Sequence, residues 1–119
     1  MDDRKRREVA DFLAAFKQIV TAGRGLDLIP RAETNDTLLA LGLTRETCEA
    51  EIVGLSSVHY SSGPEADRDK SGTVWVFGKV IDGREVYIKL KIAQVGPERI
   101  AKCISFHFAE HPLRYPLHE

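Results

Sequence analysis

Residues 73–94 read TVWVFGKVI-DG-REVYIKLKIAQ, two runs of alternating character split by Asp82 and Gly83. Alternation sends successive side chains to opposite faces, and β-branched and aromatic residues suit that pleated geometry. Asp-Gly accepts the positive backbone angles of a tight reverse turn, so the stretch predicts an antiparallel hairpin. A looser turn at VGPER and a third alternating run, IAKCISFHFA, extend it to a three-stranded meander. Such a ribbon must bury one face against something else.

The preceding residues offer that cover. Val9, Phe12, Leu13, Phe16, Ile19 and Val20 fall on one helical stripe, and Gly23 suits its stop, which predicts a helix over 3–22. GLDLIP is a short extended piece ended by Pro30. Two short helices follow, the first expected to start at Asn35 and end at Gly42, the second capped by Thr44 with Cys48, Ile52 and Val53 inward. Residues 59–72, HYSSGPEADRDKSG, hold turn formers and charge with almost no apolar side chain, and predict a long surface loop. The expected class is α+β, with N-terminal helices packed on one face of an antiparallel meander.

A chain of 119 residues predicts one domain over 1–119, and 43% hydrophobic content is enough for a core without staples. Cys48 and Cys103 show no zinc spacing, and are expected to act as small buried hydrophobes. No run approaches the roughly 18 apolar residues of a membrane span, and the amino terminus lacks a signal-peptide pattern. The expectation is a cytoplasmic protein. Net charge is −1, with a balance of −3 over residues 1–70 (10 basic, 13 acidic) and +2 over 71–119 (7 basic, 5 acidic), so any basic bias lies on the strands. The RKRR run at 4–7 reads as a solvated helix face.

Chemistry is expected on the face the helices leave open. On the middle strand Val86, Ile88, Leu90 and Ile92 point to the core, which turns Glu85, Tyr87, Lys89 and Lys91 outward. On the last strand Ile104, Phe106 and Phe108 form the inward set, opposite Cys103, Ser105 and His107. His107 then emerges beside Tyr87, Lys89 and Lys91, with His111, Arg114 and Tyr115 in the tail just beyond. A histidine exchanges protons near neutral pH, and cations stabilise a phosphate. A solvated sheet face needs no function at all, and a lone histidine on a strand is more often structural. Trp75, Phe77 and Lys79 share one face of their strand, opposite Val74 and Val76, and the pattern does not say which set meets the helices. His107 and His111 stand four apart, a spacing that gathers two metal ligands on a helix, but the first lies on a strand and Pro112 follows the second. No metal and no cofactor are expected.

The segments GLSSVHYSSGPEADRD, VWVFGK, GREVYIKLKI and CISFHFAEHPLRYP together resemble the MqsR-like toxins of bacterial type II toxin–antitoxin systems. The similarity runs from about Thr44 to Pro116, and residues 1–30 are less diagnostic. It implies a RelE-like fold and a metal-free endoribonuclease, an mRNA interferase in which the RNA 2′-hydroxyl attacks the adjacent phosphate. It also implies a cognate antitoxin protein encoded by an adjacent gene. Carried over residue by residue, the family's tyrosine falls on Tyr87 and its strand-ending lysine on His107, a change of chemistry at the same place. Ser61, beside Tyr60, and Val76, after Trp75, stand where the family has lysine and glutamine. The expected catalytic set is His107, Tyr87 and Lys89, with Lys91, Lys79, His111, Arg114, Tyr115 and Tyr60 contacting RNA. Two other uses of the face remain open: RNA binding without cleavage, which predicts salt-sensitive affinity alone, and docking of a protein partner.

Overall fold

The computed structural model describes residues 3–118. Asp82 and Gly83 both take positive φ, 52° and 77°, and close the hairpin between strands β3 (Thr73–Ile81) and β4 (Arg84–Val95). β5 (Glu98–Phe108) pairs antiparallel with the far side of β4. The meander is therefore present, but it is the middle of a larger sheet. β1 (Asp27–Leu28) adds in parallel to β5, and β2 (Tyr60–Ala66) adds antiparallel to β3, for the order β1-β5-β4-β3-β2. Half of the expected loop at 59–72 is thus an edge strand. Its Gly63-Pro64 pair and two register shifts hide the alternation, and an edge position tolerates a proline that cannot donate to a ladder.

Helix α1 (Asp3–Ile19) buries Val9, Leu13 and Phe16; each large apolar side chain withdrawn from water stabilises by about 1.5–3 kcal/mol. The helix loosens into a wider turn over Val20–Arg24, where Gly23 takes φ 100°. Phe12 stacks on Trp75 at 4.6 Å, and Tyr60 meets Phe77 edge-on at 6.2 Å. That contact decides the ambiguity on β3: Trp75 and Phe77 face the helices.

Helix α2 (Ala32–Leu41) begins earlier than Asn35, whose N–H instead donates the first helical bond to Arg31 O at 3.0 Å. Pro30 ends the extended piece, and the chain turns into the helix at once. Thr34 and Thr37 become buried, the Thr37 hydroxyl donating to Glu33 O at 2.8 Å. Helix α3 (Arg45–Val53) starts as expected. Thr44 Oγ1 accepts from Thr47 N–H at 3.1 Å, and Thr47 Oγ1 accepts from Thr44 N–H at 2.7 Å. No helix among the described residues is long and apolar enough to cross a membrane.

Candidate active site

Two local devices shape the face opposite α1. The first is a bulge in β5. Lys89 pairs with Ser105 and Leu90 with Cys103, leaving Ile104 between them without a partner. The bulge shifts the alternation by one residue. Cys103 therefore enters the core with Phe106, fully buried, and Ile104 swings to the open face, the reverse of the simple alternating assignment. Ser105 and His107 keep the outward side, and His107 pairs directly with Tyr87.

The second device is the tail after β5. Ala109 N–H donates to Glu85 O at 2.9 Å. The Glu85 carboxylate then accepts from Leu113 N–H at 3.2 Å and from the Tyr115 hydroxyl at 2.5 Å. Tyr115 and Leu113 lie against Gly78, where a side chain would collide with them. Burial, followed by its bond to Glu85, pushes the Tyr115 phenol well above its ordinary range. The tail is thereby laid across the sheet, and residues 109–113 form one wall of a cleft.

That cleft, of about 380 Å³, has Tyr87, Lys89, Ser105 and His107 on its floor, His111 on the tail side, and Arg31 and Glu33 from the start of α2 on the other. A second lobe of about 320 Å³ shares Arg31, Tyr87 and Lys89, and continues toward Glu65 on β2 and Asp67, Arg68 and Asp69 in the β2–β3 turn. The two are one groove.

On its floor the His107 and Tyr87 rings stack at 5.0 Å and 15°. His107 Nδ1 lies 2.9 Å from Phe108 O. A carbonyl can only accept, so Nδ1 carries the proton in the neutral ring and Nε2 presents a lone pair. Burial, with a smaller contribution from Glu65, raises the Tyr87 phenol above its usual value, which keeps it a hydrogen-bond donor. The side chains of Lys89 and Arg31 have no hydrogen-bonding or ion-pairing partner among the described residues.

Other expected site residues lie elsewhere. Lys91 emerges on this face but is only 4% exposed; its ammonium donates to Asp67 at 2.6 Å and to Ser71 O at 2.7 Å, pinning the β2–β3 turn. Lys79 projects to the helix side, bound to Glu51 at 2.8 Å. Tyr60 belongs to the core, its hydroxyl donating to Gly63 O. Both are corrections with one cause: the β3 face carrying Trp75 and Phe77 is the packed one, and Tyr60 pairs with Phe77 on it. Arg114 is exposed on the tail outside both lobes, and Tyr115 braces the tail rather than lining the groove. Val76 pairs with Lys89.

Arg31, Glu33 and Glu65 are groove residues that the sequence reading did not single out. Nothing local marks Arg31; only the docking of α2 beside β5 brings it over the sheet. Among the described residues no three His, Cys, Asp or Glu side chains converge as a metal site. The fold and site define an α+β protein with a two-lobed polar groove on its open sheet face. No family model, curated protein or solved structure matches the chain.

Proposed function

We propose that this protein is a metal-independent endoribonuclease that cuts messenger RNA and arrests growth, the toxin partner of an antitoxin protein encoded beside it. We place it in the cytoplasm, with a RelE-like arrangement of helices and sheet. The observation that carries the reading is the stacked Tyr87–His107 pair, its tautomer set by Phe108 O, on the floor of a groove with an unpartnered Lys89.

Each group has a role in intramolecular cleavage. His107 Nε2 takes the proton from a ribose 2′-hydroxyl as that oxygen bonds to phosphorus. Tyr87 donates to a non-bridging phosphate oxygen, and Lys89 offsets the charge that develops there. The bond from phosphorus to the 5′-oxygen breaks, and that oxygen takes a proton from His111 across the cleft. The products are a 2′,3′-cyclic phosphate and a 5′-hydroxyl, with no external oxidant, reductant or metal in the balance.

The test in cells is induced expression with and without the adjacent gene. The reading predicts growth arrest with shortened transcripts, relief by the neighbour, and no arrest by His107→Ala at equal soluble expression. Normal growth at strong soluble expression refutes the toxin assignment. RNA binding by the purified protein without any cleavage would mean that the groove recognises RNA but does not cut it.

A further inference from the structure

The groove's charges alternate along its length. Glu33 and Glu110 face the first lobe, Glu65, Asp67 and Asp69 outnumber Arg68 in the second, and two cations with unpartnered side chains, Arg31 and Lys89, are common to both. A polyanion laid along such a surface is repelled at both ends and held in the middle. Each lobe has room for a base and sugar, by the usual scale of ligand pockets. Resting on the ribonuclease reading, we infer that the groove takes one phosphodiester at the lobe junction, clamped by Arg31, with a nucleoside in each lobe.

Arg31 suits that task better than a lysine would. Its guanidinium offers parallel donors matched to two phosphate oxygens. Its backbone is fixed, extended, at φ −146° and ψ 146°, immediately before α2, and its side chain caps nothing. Replacing it therefore removes no helix cap. Of the other cations near the groove, Lys91 is engaged by Asp67 at 2.6 Å, and Arg68 lies in the second lobe beside Glu65, Asp67 and Asp69. Arg31 and Lys89 are thus the cations at the junction itself, while Arg68 is outnumbered by the carboxylates around it, which favours one register for the bound strand.

The test uses the full chain and two probes. Binding of a non-cleavable 2′-deoxy oligonucleotide is measured across a salt series, and cleavage of the matching RNA is followed separately. One or two phosphate contacts predict a shallow wild-type dependence, a slope of about −0.7 to −1.4 in log K against log salt. Arg31→Ala reduces that slope by about 0.7, weakens binding about tenfold, and lowers kcat/KM about 100-fold, with an unchanged melting temperature. Arg31→Lys restores the slope but only part of kcat/KM. Arg7→Ala, exposed on α1, removes the same charge and changes neither readout. Wild-type cleavage with Arg31→Ala unaffected overturns the clamp and leaves the ribonuclease reading standing. A steep wild-type slope overturns the single-phosphate register. Absence of both binding and cleavage in the wild type removes both proposals.

Discussion

The tail crossing is held at one point where the sheet has no side chain. A Cβ built at Gly78 falls against Tyr115 Oη and Leu113 Cδ1, well inside van der Waals contact, and 3.0 Å from Tyr115 Cε1. The β3 backbone cannot retreat, because Gly78 pairs with Tyr87 in the middle of the sheet. Gly78→Ala must therefore displace the Leu113 side-chain end and the Tyr115 ring, which is anchored through its hydroxyl to Glu85, and so strain the Tyr115–Glu85 bond that holds the tail. Overpacking of this kind costs about 1–3 kcal/mol. For a chain of this length roughly 4 °C of melting temperature follows each kcal/mol, so the expected drop is about 4–12 °C. Limited proteolysis supplies the second readout: cleavage in 109–118 should accelerate in the variant while the strands stay protected. Tyr115→Ala, which opens the space Gly78→Ala needs, should make the two losses less than additive in a double-mutant cycle. An unchanged melting temperature with an unchanged proteolytic pattern would refute a tail packed on Gly78.

Two other perturbations test the frame of the fold. Thr44→Ala removes the side-chain acceptor at the start of α3 and should cost about 1 kcal/mol, read as a melting temperature lowered by roughly 4 °C. Asp67 is held from an ordinary 3.8 down to about 2, first by its hydrogen bond from Lys91 and then by Asp69 N–H. Its folded pKa lies below its unfolded one, so its contribution is full above about pH 4 and disappears as pH falls toward 2. Asp67→Asn should melt below wild type at pH 6 and approach it at pH 2; a constant gap across that range would mean that the carboxylate does not pin the turn.

The elements with strict period were legible. Asp82-Gly83 and the alternation around it define β3 and β4, and Thr44 marks the start of α3, because each signal is local and self-contained. β2 was hidden because an edge strand needs only a partner, not a pattern, and Gly63-Pro64 resembles a loop. The bulge at Ile104 was hidden too: one extra residue in β5 exchanges the faces of Cys103 and Ile104 without altering composition. At the site, the His107–Tyr87 juxtaposition and Lys89 followed from alternation across adjacent strands. Lys91 shares the face but not the role, since its fate depends on Asp67, 24 residues away. Arg31 shows the other limit. A surface arginine before a helix has no distinguishing neighbours until α2 docks beside β5.

Everything functional rests on His107 Nε2 acting on a ribose hydroxyl, and end-group analysis of the products tests it most directly. Purified protein is incubated with a defined RNA in EDTA, and the new termini are identified by mass. We predict 2′,3′-cyclic phosphate and 5′-hydroxyl ends, produced about 10²- to 10⁴-fold more slowly by His107→Ala. RNA cut at the wild-type rate by His107→Ala, or products bearing a 5′-phosphate, would contradict it.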